Sequence, residues 1–121
     1  MELQILPQEF TVCKISNTEN VDFSHEFVFL SKTDDEISLV CEAVHTPADA
    51  IACESGWRVL KISGVLEFTM VGVIAKIAEL LAAANISIFV ISTYNTDYVL
   101  VKAERLDDCV QVLTKAGYIC K

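Results

Sequence analysis

Apolar residues along this chain come mostly in short β-branched runs separated by polar turns, and they switch to helical spacing twice in the second half. Residues 57–62, WRVLKI, form one such run and stop at Ser63-Gly64, which predicts a strand. Thr69 is placed to cap a helix running through Ala84, with Asn85 as its left-handed stop. Residues 86–92 and 98–102 read as two strands around a turn at 93–97. Beyond them Leu106, Cys109, Val110 and Leu113 fall at i, i+3, i+4 and i+7, the stripe of an amphipathic helix that Gly117 closes. Residues 118–120 read as a last short strand. The order βαββαβ predicts an α+β, ferredoxin-like fold, an antiparallel sheet with both helices on one face.

The first half echoes the second. FTVCKIS at 10–16 returns as WRVLKIS at 57–63, a displacement of 57 − 10 = 47 residues. LSKTDDEISLV at 30–40 returns as ISTYNTDYVLV at 91–101, and Gly56-Trp57 as Gly117-Tyr118, both displaced by 61. Two copies of one unit in tandem follow, the second with 61 − 47 = 14 extra residues after its first strand. Residues 1–56 read as a reduced first unit and 57–121 as a complete second one. The strand at 57–62 stands where the two would share it. In the first unit, 10–15, 27–30 and 37–41 read as strands, and residues 47–53 as a short helix opened by Pro47.

Along residues 70–84 only Gly72, Lys76 and Glu79 interrupt the apolar side chains. A helix on one sheet needs an apolar face of only about 100° or somewhat more. This one is apolar around most of its circumference and is expected to bury a second side, against the first unit or against a second copy.

Composition narrows the function. The chain has 121 residues, 53% hydrophobic, with mean hydropathy +0.45. Seventeen acids against nine bases leave a net charge of −8, the wrong sign for a nucleic-acid surface. No run is apolar enough to span a bilayer, and the opening MELQILPQEF is not read as a signal peptide, so a cytoplasmic protein is expected. Five cysteines at irregular spacing without a C-x-x-C pair suggest core filling rather than a zinc site or a disulfide framework. His25 and His45 have no nucleophile beside them in any recognisable motif. No catalytic residue, metal or cofactor is expected.

The candidate site is the loop from Gly64 to Thr69 with the start of the following helix. Gly64 permits a tight turn, and free N–H groups at Met70, Val71 and Gly72 would favour an anion such as an amino-acid carboxylate. The same residues also fit a purely structural role as turn, cap and helix-packing positions. In the turn at 93–97, Asn95 and Asp97 are ordinary turn formers, whereas Tyr94 is an unexpected aromatic suited to a partner or a ligand.

ISTYNTDYVLV, the preceding ISIF, the MELQIL opening and the WRVLKI strand together resemble the ACT domains of the cytosolic arginine sensor (CASTOR) type. They are also similar to stand-alone microbial tandem ACT proteins and, more distantly, to regulatory ACT domains of aspartate kinases. The longer sensors carry two tandem pairs, of which this chain would correspond to one. The resemblance implies a regulatory module that binds an amino acid at a domain or dimer interface. It implies a homodimer, and a possible protein partner through the Tyr94 hairpin. It places ligand contacts on Ser87, Ile88, Thr93, Tyr94 and Asp97, and on Glu67, Phe68, Thr69, Met70, Val71 and Gly72. It also implies an acid two residues before the helix glycine, where this chain has Met70. A neutral or apolar amino acid is therefore expected in place of a cation, since a guanidinium there would lose its charged partner. The alternative is a degenerate pair that binds protein and no metabolite.

Overall fold

The computed structural model describes residues 1–67 and 70–121. Its strands are β1 (Glu2–Ile5), β2 (Phe10–Ile15), β3 (Val28–Lys32), β4 (Ile37–Glu42), β5 (Ala52–Ile62), β6 (Ile88–Ser92), β7 (Asp97–Lys102) and β8 (Ile119–Cys120). The helices are α1 (Val73–Ala83) and α2 (Leu106–Lys115). The chain divides into two compact units, one of Gln8–Trp57 and one of Met1–Pro7 with Arg58–Lys121.

In the unit Gln8–Trp57 the strands lie in the order β3-β4-β2-β5. The β3–β4 hairpin is antiparallel from Val28↔Cys41 to Lys32↔Ile37, and the Thr33 N–H closes its turn on the Glu36 carbonyl at 2.9 Å. Strand β2 pairs antiparallel with β4 on one side and with residues 52–57 of β5 on the other. This is the order of the four strands of a split βαβ unit, without its helices. The helix expected at 47–53 does not form. Residues Ala43–His45 make a single 3₁₀ turn, and the Ile51 N–H donates to Lys14 O at 2.8 Å. Ala52 and Cys53 already pair with Lys14 and Cys13. Pairing with β2 thus takes the backbone groups that a helix would have used.

The other unit has the strand order β6-β7-β5-β1-β8. Strand β1, absent from the sequence expectation, runs antiparallel to β5 (Leu3↔Ile62) and parallel to β8 (Leu3↔Cys120). The sheet is therefore mixed rather than wholly antiparallel. Met1–Pro7 joins this unit and not the first, in contrast to the linear division at residue 56. Leu3 is fully buried there, and Leu6 N–H donates to Val59 O at 2.9 Å. Both helices bury onto one core: Ile77 and Leu81 from α1, Cys109 and Leu113 from α2, packed with Leu3, Leu60, Ile62, Val99 and Val101.

Helix α1 starts at Val73, later than expected. Gly72 is its N-cap, in the left-handed region at φ +77°, and having no side chain it makes no capping hydrogen bond. Thr69, the expected cap, lies outside the described residues, as does Phe68. Asn85 does stop the helix in a left-handed conformation, at φ +62°. The breadth of the apolar face is largely alanine: Ala75, Ala82 and Ala83 are exposed beside Lys76 and Glu79, while Ile77 and Leu81 are buried. Short methyl side chains make exposure cheap, so this helix need not bury its outer side to be stable.

Candidate ligand-binding site

Three segments of the unit Met1–Pro7 with Arg58–Lys121 meet at one end of its sheet: the loop after β5, the first turn of α1, and the tip of the β6–β7 hairpin. The hairpin is antiparallel from Ile88↔Val101 to Ser92↔Asp97. Its tip closes on itself, with Thr93 N–H and Thr93 Oγ1 both donating to Thr96 O, at 2.9 and 2.8 Å. Two long-range bonds then tie the tip to the loop. Leu66 N–H donates to Asn95 O at 2.7 Å, and the Thr96 hydroxyl donates to Ile62 O at 2.8 Å. Thr96 is only 3% exposed, so its side chain is a fixed bracket between β7 and the end of β5.

The bracket shapes a cavity of about 260 Å³, lined by Leu66, Glu67, Met70, Gly72, Val73, Ile74 and residues 92–97. At about 260 Å³ the cavity is smaller than a typical drug-sized pocket and matches a ligand of only a few heavy atoms. One wall is the start of α1. Gly72 offers no side chain to cap the helix, and the N–H groups of residues 72–75, like the first ones of any helix, have no intrahelical acceptors. No acid occupies the first turn to neutralise the positive end of the helix dipole. Another wall carries Asp97, half-buried at the start of β7, and Glu67, exposed in the loop. Leu66, Met70, Val73 and Ile74 add an apolar part, and Ser92, Thr93, Asn95 and Thr96 line the hairpin side with polar groups. Donors for an anion, carboxylates for a cation and an apolar floor thus share one cleft.

Of the residues read from the sequence, Glu67, Met70, Gly72, Thr93, Tyr94 and Asp97 line this cavity. Val71 does not. It lies 91% exposed and lines a second cavity of about 330 Å³ with Met1, Lys76 and Tyr118. Ser87 and Ile88 do not line the 260 Å³ cavity either. Ser87 is exposed, and Ile88 packs against the hydrophobic core. The free helix N–H groups also move: they lie in the first turn at 72–75, not at Met70 and Val71, because the helix starts at Val73. Leu66 lies in the candidate loop at 64–69, while Thr96 and Ile74 are not singled out by the sequence reading. The signal for Thr96 was its place in the Thr93-x-x-Thr96 spacing, and its burial appears only once the hairpin folds against Ile62.

The histidines are brought together in the other unit. The His25 and His45 rings stack at 3.6 Å between centroids, and His25 Nε2 lies 3.4 Å from Asp22. Hydrogen bonds from Ser24 hold the Asp22 carboxyl below its usual pKa. Among the described residues no group of three His, Cys, Asp or Glu side chains is placed to hold a metal ion, and no helix is long and apolar enough to cross a membrane.

Comparisons with known proteins agree with this fold. A family profile described as "ACT domain" matches residues 52–115, which run from β5 through α2. The chain is 35% identical over 96 residues to the human and bovine proteins named cytosolic arginine sensor for mTORC1 subunit 1. That match takes in 74% of this chain and 29% of the relative, so the chain spans under a third of the length of the curated relatives it matches. A structural-genomics protein from Agobacterium tumefaciens superposes with a TM-score of 0.87 at 28% identity, over 99% of this chain and 91% of that one. The regulatory subunit of aspartate kinase from Thermus thermophilus, 10% identical, superposes with a TM-score of 0.66 over 95% and 96% of the two chains, a likeness of fold alone. The chain belongs to the ACT domain family.

Proposed function

We propose that this protein is an amino-acid-binding regulatory module, without catalysis of its own, which takes its ligand in the cleft between the start of α1 and the β6–β7 hairpin. The observation that carries the reading is that the N-terminus of α1, where Gly72 supplies no capping side chain, lines the same cavity as Asp97. An α-amino acid matches that cleft at both of its charges. Its carboxylate accepts from the N–H groups of residues 72–75, and its ammonium turns toward Asp97. The side chain then meets Leu66, Met70 and Ile74, a floor suited to a neutral or apolar amino acid. Burying a guanidinium on such a floor without a carboxylate costs several kcal/mol. Glu67 is exposed at the rim, where water weakens any pairing it makes.

The relatives are named for arginine, so the choice between arginine and a neutral amino acid is the sharpest test of the site. Calorimetry of the purified chain with leucine, valine, methionine, lysine and arginine decides it. We expect a neutral amino acid to bind best, and binding to weaken in Asp97→Asn. Tight arginine binding that survives Glu67→Gln overturns the neutral-ligand reading. In this proposal the two units form a tandem pair, and two chains associate as a homodimer with C2 symmetry. Met70 and Tyr94, which line the cleft, are 46% and 80% exposed, and Val65 and Val71 beside the loop and helix start are 70% and 91% exposed, apolar surface of the kind a second copy would cover. Light scattering that returns the 13.4 kDa monomer at micromolar concentration removes the dimer.

A second reading, a module that binds a protein partner and no metabolite, rests on the exposure of Tyr94. A thermal-shift screen of the free amino acids separates the two, because a ligand selective for the native state must raise the melting temperature. No shift at millimolar concentration favours the interaction module.

A further inference from the structure

We propose that Cys13 and Cys53 form a cross-strand dithiol that a low-molecular-weight disulfide converts to an intramolecular disulfide, a modification site separate from the ligand reading above. The two residues sit directly opposite one another in the antiparallel β2–β5 ladder, with their sulfurs 3.0 Å apart. Opposed residues in such a ladder have Cα atoms about 4.5–5.5 Å apart, inside the span a disulfide tolerates. The sulfurs need to approach by only about 1 Å to reach bonding distance.

The pairing is created by an irregularity. At the Trp57 end the register is Phe10↔Trp57, but from Val12 onward it is Val12↔Glu54, Cys13↔Cys53 and Lys14↔Ala52. Strand β5 therefore holds one extra residue, beside Gly56 at φ +81°. Such a glycine in the left-handed region is what a bulge of this type requires. Without the bulge Cys13 would face Glu54. The thiol pair exists because the strand is bulged.

The two sulfurs differ in access. Cys53 is exposed, while Cys13 is 2% exposed and packs with Ile15, Leu39 and Cys41. Burial, and after it the hydrogen bond with Cys53, push the Cys13 thiol up to about 12. Cys53 is therefore the entry sulfur. Its thiolate attacks one sulfur of the external disulfide, forming a mixed disulfide and releasing one external thiolate. Cys13 then loses its proton and attacks the Cys53 sulfur, releasing the second. Two protein thiols and one external disulfide become one protein disulfide and two external thiols, so atoms and electrons balance. Cys41 and Cys109 are buried, with no comparable route in.

The test uses the full chain and glutathione disulfide as probe, under native conditions. The remaining thiols are alkylated after denaturation and counted by intact mass, and the bond is located by peptide mapping. Alkylatable thiols should fall from five to three, with the loss of two hydrogen atoms and a linked pair of peptides carrying Cys13 and Cys53. Cys53 is exposed, so Cys53→Ser should keep its fold and retain four free thiols. Cys13→Ala, checked for folding by circular dichroism, should stop at a glutathione adduct on Cys53. Five free thiols in the treated protein, a bond to Cys41, Cys109 or Cys120, a disulfide between two chains, or loss of thiols in Cys53→Ser each overturn the proposal.

Discussion

Replacing Gly72 by alanine isolates one term in the energetics of the site. Gly72 caps α1 with φ +77° and ψ +2°, a left-handed conformation that an L-residue reaches only against its own Cβ. A Cβ built on Gly72 meets nothing within 4 Å, so no clash contributes and the whole cost is conformational. That cost is roughly 1–2 kcal/mol. For a chain of this size it corresponds to a melting temperature lower by about 3–10 °C. Asparagine tolerates the same region, as Asn85 does at φ +62°, so Gly72→Asn should recover part of the loss. Differential scanning calorimetry of the three proteins measures it. If alanine instead relaxes by turning the cap, the N–H groups at residues 73–75 also turn, and ligand affinity falls more than stability does. A Gly72→Ala protein that melts at or above the parent temperature refutes the argument, because the left-handed cap would then carry no cost.

Thr96→Val removes the hydroxyl that donates to Ile62 O and leaves a buried carbonyl without that donor, so we expect a loss of about 1–3 kcal/mol in urea denaturation and weaker ligand binding by calorimetry. An unchanged urea midpoint refutes the bracket role. Leu81→Ala, in the fully buried core beneath α1, should cost about 2–5 kcal/mol by the same assay, and a loss below 1 kcal/mol would show that α1 does not pack as described. Burial, then the nearby Cys120, pushes the Cys109 thiol from 9.0 up to about 12, so its folded pKa lies above its unfolded one. Its contribution is fully present below about pH 9 and is lost as pH rises toward 12, at up to about 1.4 kcal/mol per pH unit. Stability above about pH 9 should therefore fall less steeply in Cys109→Ala than in the parent, and parallel curves refute the assignment.

Local pattern carried most of the elements. The stripe of Leu106, Cys109 and Leu113 sets α2, with Cys109 and Leu113 fully buried. The β-branched runs set β2, β4, β6 and β7 within a residue or two, because a period of two needs only neighbours to declare itself. Asn85 ended α1 as its chemistry allows. The echo between FTVCKIS and WRVLKIS marked two strands, β2 and the end of β5.

Tertiary structure decided whatever depends on partners far along the chain. Strand β1 does alternate apolar and polar residues from Met1 to Ile5. Its partners β5 and β8, however, lie about 55 or more residues along the chain, as in Ile5↔Leu60, and its place between them is set only when the chain has folded. Residues 52–53 join β5 rather than the helix that Pro47 would open, because β2 supplies their ladder partners. The cleft depends on Leu66–Asn95 and Thr96–Ile62, bonds across 29 and 34 residues that no local spacing encodes. The dithiol depends on a one-residue bulge, and a register shift has no signature in the pattern of either strand alone. Side chains within a few residues of each other favour α2, β2, β4, β6 and β7, so local sequence was enough for those elements. The cleft and the thiol pair are set by backbone hydrogen bonds whose two halves are joined only when the chain has folded.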